Sequence, residues 1–193
     1  VGESAAMQDL YQIIARVGGT RANVLLQGES GVGKELVARA IHALSNPAAP
    51  FVAANCGALS RELIGSELFG HEKGAFTDAK ASKRGLIEMA EGGTVFFDEI
   101  GDMPYPMQAK ILNLIEEKKF RRIGGLQNIS ADVRIIAATN RNLYELVQAK
   151  KFRLDLFYRL NVVTMEMPPL RKRKDDIPLL THHYFARYGE KYD

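Results

Sequence analysis

Apolar residues recur at Met7, Leu10, Ile14 and Val17, the spacing of a helix with one buried face. Ser4 stands where it would cap that helix, and Gly18-Gly19 where it would stop. The pattern then changes to a short apolar run, Val24-Leu25-Leu26, which predicts a strand. Helical spacing returns over Leu36 to Ile41 and runs to about Leu44, before Asn46-Pro47 breaks it. Phe51 to Ala54 predicts a second strand, finishing in Asn55. Ser60 opens a further helix with Leu63, Ile64 and Leu68 inward, closing at Gly70. Strands follow over Thr94 to Glu99 and Val133 to Ala138, and helices over Leu143 to Gln148 and Phe152 to Leu160. A last amphipathic helix, through Leu179, Leu180, Tyr184 and Phe185, is capped by Asp175-Asp176. Alternation of strand and helix predicts the α/β class: a parallel sheet with crossover helices, whose ligands sit beyond the C-terminal strand ends.

The turn after the first strand carries the sharpest chemistry. Gly28 to Glu35 reads GESGVGKE between a strand and a helix start, where backbone N–H groups and the helix dipole favour an anion. Gly28, Gly31 and Gly33 permit close approach to phosphate oxygens, and Lys34 reaches the β and γ phosphates, as in a Walker A loop. Glu35 stands where that pattern has a Ser or Thr for magnesium. Its carboxylate either meets the ion, directly or through water, or simply begins the helix, where negative charge is favoured.

The apolar strand Thr94 to Phe97 ends in Asp98-Glu99. Beside a phosphate loop, Asp98 would hold magnesium, directly or through its waters, and Glu99 would act as general base or orient a water in line with the γ phosphate. Asn140, after the strand that ends in Ala138-Thr139, either holds that water and senses the γ phosphate or caps the next helix. Arg153 and Arg159, about 120° apart on a helix, are surface salt-bridge arginines in an isolated subunit and γ-phosphate fingers in a ring.

Composition changes little. In 193 residues, 46% are apolar and 25% charged, enough for one globular domain or one domain plus a fragment. The net charge of +3 gives no argument for nucleic acid, and RKRK at Arg171 to Lys174 reads equally as a solvated surface turn or as a contact segment. Cys56, the single cysteine, excludes a disulfide framework, suits a reducing cytoplasm and reads as core. No apolar run approaches a membrane span, and no signal peptide is present.

Together GESGVGKE, AANCGAL, ELFGHEKGAFTDA, GGTVFFDEIGD, AATNRNL, FRLDLFYRLNVV and PPLRKRKDDIPLL resemble the AAA+ domain of sigma-54-dependent transcriptional activators, the bacterial enhancer-binding proteins. The resemblance implies a P-loop NTPase of the AAA+ kind, a three-layer α/β sandwich around a central parallel sheet. Residues 1–173 would form the nucleotide-binding subdomain and 174–193 the start of a helical lid that is mostly absent. Gly28, Glu29, Ser30, Gly31, Val32, Gly33, Lys34 and Glu35 would hold ATP with Mg2+, Asp98 would serve the metal and Glu99 would activate water. Asn55 would be a switch that holds or releases Glu99, Asn140 the sensor, and Arg153 and Arg159 trans-acting fingers in a hexameric or heptameric ring.

Gly74, Ala75, Phe76, Thr77, Asp78 and Ala79 would form a loop tip that contacts sigma-54 of the RNA polymerase holoenzyme, with Arg121 to Ala131 as a second loop that moves with it. Read without the resemblance, the same segment is an ordinary turn with Phe76 folded inward. Asp78 replaces the glycine usual in the family, which restricts the backbone and adds a carboxylate. DNA contact would come through a helix-turn-helix domain absent from this sequence, and the location would be cytoplasmic, without a membrane. The alternative function is another AAA+ remodelling ATPase, a chaperone or helicase-like motor with the GAFT region as a pore loop. A third is a module in which nucleotide drives assembly without hydrolysis.

Overall fold

A computed structural model describes residues 2–192, with side chains as far as Gly189. Val1 and Asp193, the outer ends of the two predicted subdomains, lie outside the described residues. In chain order the elements are α1 (Ala5–Gly18), β1 (Val24–Gln27), α2 (Lys34–Ser45), β2 (Phe51–Asn55), α3 (Ile64–Phe69), α4 (Leu86–Met89), β3 (Thr94–Asp98) and α5 (Tyr105–Glu117). There follow β4 (Lys119–Phe120), β5 (Ile129–Ser130), β6 (Arg134–Thr139), α6 (Leu143–Gln148), α7 (Leu154–Leu160), β7 (Val163–Glu166) and α8 (Ile177–Tyr192).

Five strands pair in the order β2-β3-β6-β1-β7, all parallel, and β4 pairs antiparallel with β5 in a separate hairpin. Successive strand residues point to opposite faces, so each strand feeds two cores. Val24, Leu26, Phe96, Ile136 and Ala138 pack under α1 and α2. Leu25, Val95, Phe97, Ile135 and Ala137 pack on the other face against Ile64, Leu68, Ile111 and Leu156 from α3, α5 and α7. The result is three layers. Phe96 and Phe97 are 1% and 0% exposed, and truncating either to Ala costs about 3–5 kcal/mol.

Several local expectations are corrected. Leu63 is exposed, because the chain is still in a turn there and the helix proper starts at Ile64. Ser4 stands at the N-cap of α1 but its hydroxyl donates to Asp176 Oδ2 at 2.7 Å instead of capping the helix. Asp176 accordingly does not cap α8: its Oδ1 accepts from the N–H groups of Glu3 and Ser4, at 2.7 and 2.8 Å. The helices α4 and α5, the last strand, β7, and the β4–β5 hairpin had no counterpart in the sequence reading.

Candidate functional site

Register brings the functional strand ends to one edge. Gln27 lies beside Thr139, Phe97 beside Ala137 and Asn55 beside Asp98, so β1, β6, β3 and β2 finish together. The Gly28 N–H donates to Thr139 O at 3.1 Å as the chain leaves the sheet. A Cβ at Gly28 would stand 2.8 Å from the Met167 Cβ, so only glycine fits there. Gly33 takes φ +100° at the N-cap of α2, a left-handed turn that points the first helical N–H groups into the loop.

Lys34, 6% exposed, folds its Nζ onto the carbonyls of Gly28 and Glu29, at 2.9 and 3.0 Å. The ammonium therefore stands across its own loop, where a phosphate oxygen would replace the carbonyls. Glu35 pairs with Arg39 at 2.7 Å along the surface of α2. Glu29 is held by Arg171 through two hydrogen bonds, at 2.8 and 2.5 Å, and these keep its carboxyl below the usual range.

Beside the loop a cleft of about 930 Å³ opens between α1, α2 and α8, walled by Tyr11, Ile14, Leu36, Met167 and Leu180. Arg173 forms part of it. It is only 8% exposed, so of the two readings of RKRK the contact role holds for this residue. Its Nη2 donates to Val32 O at 3.1 Å and its Nη1 lies 3.3 Å from Met7 Sδ, so the side chain ties α1 to the phosphate loop. Sequence reasoning missed it, since basic neighbours on both sides disguise one buried arginine.

At the acidic edge the strand ends at Asp98. Glu99 leaves it with φ 51° and ψ 47°, a left-handed conformation that costs a non-glycine residue about 1–2 kcal/mol. The Glu99 N–H donates to Asp98 Oδ1 at 3.0 Å, and Glu99 Oε2 accepts from the Asn140 N–H at 3.4 Å. Asn55 Oδ1 accepts from the N–H groups of Gly57 and Ala58, both at 2.9 Å, so it is folded over its own loop. A Cβ on Gly57 would lie 3.5 Å from Asn55 Oδ1 and 3.7 Å from the Glu99 Cβ, so both side chains stand close to one glycine. Cys56 lies buried beneath, its thiol pushed up to about 12 by burial and then by the charges of Asp98, Asp102 and Glu99.

Asn140 does not cap α6; Asn142 does, accepting from Tyr144 and Glu145. Arg153 sits at the N-cap of α7, outside the helix, so the helical angle between it and Arg159 does not apply. Both arginines are ion-paired at the surface, Arg153 with Asp155 at 2.7 Å and Arg159 with Glu116 at 2.8 Å. The structure thus gathers the phosphate loop, Asn55, Asp98, Glu99 and Asn140 at one edge, and holds Arg153 and Arg159 on acids of the same chain.

The GAFTDA segment is a tight loop closed by Gly74 N to Ala79 O at 2.8 Å. Phe76 is 42% exposed and meets His71 edge-on at 4.9 Å, while Ala79 is buried at the base. Gly124, at φ +74° in the β4–β5 hairpin, packs so closely on Ala75 that a Cβ there would lie 2.7 Å from the Ala75 Cβ. The Glu72 N–H donates to Ile123 O at 3.0 Å, and Arg122 joins Glu72 at 3.0 Å to Glu88 at 2.8 Å. The two loops form one unit.

A parallel five-stranded sheet with a lysine-bearing glycine loop after β1 and paired acids ending a nearby strand defines a P-loop NTPase of the AAA+ kind. Residues 1–166 match the sigma-54 interaction domain, and the chain belongs to that family. It is 53% identical over 185 residues to the DNA-binding transcriptional regulator NtrC of Escherichia coli strain K12, covering 95% of this chain and 39% of that protein. The crystal structure of NtrX from Brucella abortus in complex with ADP superposes with a TM-score of 0.92 at 43% identity, over 99% of this chain and 42% of that one. The P-loop NTPase domain of the sigma-54 transport activator from E. coli shares the fold alone, with a TM-score of 0.60 at 20% identity over 88% of this chain and 99% of that one. The chain spans less than half the length of NtrC and NtrX. Among the described residues no helix is long and apolar enough to cross a membrane.

Proposed function

We propose that the chain hydrolyses ATP and uses the resulting loop movement to remodel sigma-54 bound to RNA polymerase in the cytoplasm, so that transcription starts. The observation that carries this is the shared edge of β1, β3 and β6, where Lys34, Asp98 and Glu99 converge, in a chain of the sigma-54 interaction family. The ADP held by NtrX supports a nucleotide in the same place.

ATP fits the residues present. Phosphates replace the carbonyls on Lys34 and take the N–H groups from Gly28 to Glu35, and the purine enters the apolar cleft beside Tyr11, Ile14 and Leu36. Magnesium fits too, since it needs only one or two carboxylates besides phosphate oxygens and water, and Asp98 supplies one at the strand end. When bound, it neutralises charge on the β and γ phosphates. Glu99 orients the attacking water and takes its proton, Asn140 places Glu99 through its N–H, and Asn55 turns from Gly57 to engage or release Glu99.

In a ring, Arg153 and Arg159 leave Asp155 and Glu116 for the neighbour's γ phosphate. Residues 1–173 act as the nucleotide-binding body and 174–193 open the lid. With ATP bound, the ordering of Glu99 and Asn55 raises the Phe76 loop, which reaches the sigma factor through Phe76 and Thr77, and phosphate release lets it fall back.

Two variants test this. Glu99→Gln should keep ATP binding and lose phosphate release by roughly 100-fold or more, and undiminished turnover would remove Glu99 from its role. Thr77→Ala should hydrolyse ATP normally and fail to capture sigma-54. Retained capture in that variant would mean that the assignment of this loop to the sigma-factor contact is wrong.

A further inference from the structure

The opposite end of the same sheet carries a second polar cleft, of about 260 Å³. Arg134 opens β6 there and is 3% exposed. Its Nη2 donates to Val17 O at 2.9 Å, at the C-terminal end of α1, while its Nε and Nη1 are buried and find no partner. Several other groups of the cleft are already satisfied. His42 accepts the Thr94 hydroxyl at 2.9 Å through Nδ1 and donates to Ala49 O at 3.1 Å through Nε2. Gly92 and Gly93 give their N–H groups to Asp132 O and Ala90 O.

The nearby Arg21 is committed to Asp132 at 2.8 Å. Burial, and then the positive charge of Arg21, lower the pKa of the Arg134 guanidinium from its ordinary value. Proteins pair the charges they bury, because an ion removed from water without a counter-charge is expensive. The carbonyl end of α1 brings only about half a negative charge, and it takes one N–H of the guanidinium. Two nitrogens remain unused.

The geometry points to an oxyanion site: a small phosphate or carboxylate group enters the cleft, the Arg134 guanidinium turns toward it and donates from an unused nitrogen, with Arg21 and Asn46 at the rim. The site is separate from the phosphate loop. The six residues of β6 hold the two apart by about 17 Å of strand.

Arginine Nε–H resonances of the whole chain, followed by 1H–15N NMR during titration with inorganic phosphate and separately with acetate at constant ionic strength, test this. Arg134→Lys assigns the signal by deleting it; should that variant misfold, Arg21→Ala, a surface change, still carries the test. The Arg134 signal is expected to move saturably with at least one anion, equally in wild type and in Lys34→Ala, and Arg21→Ala should weaken the binding roughly threefold. Movement with phosphate alone assigns a phosphoryl ligand, and with acetate alone a carboxylate. If neither anion moves the signal, or the movement disappears in Lys34→Ala, the cleft holds water and the proposal is wrong.

Discussion

Cys56 and Glu99 show how closely single residues at the acidic edge are constrained. The Cys56 N–H donates to Asp98 O at 2.9 Å, while its side chain turns under the strand ends, away from water. Because the thiolate is the nucleophile, a thiol at about 12 and out of reach should stay unlabelled by a disulfide reagent at pH 8 in the native state, reacting only on opening. Rapid stoichiometric labelling of the folded protein would show that this edge is open. Glu99 is constrained through the backbone: its left-handed turn directs the carboxylate to the Asn140 N–H, away from the line of the strand. Glu99→Ala would keep most of that backbone cost and lose the carboxylate, whereas Glu99→Gln keeps the shape, which makes Gln the cleaner probe of chemistry.

At the scale of elements, the clasp between the Phe76 loop and the β4–β5 hairpin is the part most exposed to test. Arg122 hydrogen bonds first, and its charge second, hold the Glu88 carboxyl below the ordinary glutamate value of 4.5. The unfolded chain therefore takes up the proton first as pH falls. The stabilisation is complete above that value and is lost as pH drops through the lower native one. Glu88→Gln should cost about 1–2 kcal/mol at neutral pH, or roughly 3–6 °C in Tm, and the difference from wild type should close in acid. A gap independent of pH would mean that packing, not charge, joins the loops. The long periodic elements α1 and α2 and the apolar strands β1, β3 and β6 were legible in sequence because burial on fixed faces writes a period. The shortest strands and the helices α4 and α5 were not. The two-residue strands β4 and β5 are below any period, and β7 reads Val-Thr-Met-Glu with no uniform apolar run. Leu63 and Arg153 were misplaced for a related reason: each sits just outside a helix whose pattern it continues.

Across the whole molecule, the phosphate loop and Asp98-Glu99 could be read early because each is a local string. The wall of the cleft could not, since it is made by residues far apart in sequence. The segment after β7 returns to the start of the chain at three points: Arg171 on Glu29, Arg173 on Val32 and Met7, and Asp176 on Glu3 and Ser4. Nothing in RKRKDD distinguishes the inward Arg173 and Asp176 from their solvated neighbours; only the folded sheet, with β7 paired on β1, sets them against α1. Burial raises the Asp176 pKa, but the Ser4 and Glu3 hydrogen bonds and the charge of Arg173 outweigh it, so the carboxylate stays ionised below the ordinary aspartate value. Asp176→Ala removes all three acceptor contacts and frees both the entry to α1 and the start of α8, two walls of the cleft. The core under the sheet is untouched, so the variant should still fold, while the fraction with a closed cleft falls. Apparent affinity falls by that same fraction, and ADP titration should show a loss of roughly three- to tenfold. Arg171→Ala, which loosens only the exposed pair on Glu29, should lose less. Equal affinity in the Asp176 variant would mean that the cleft keeps its shape without the tie between the two ends.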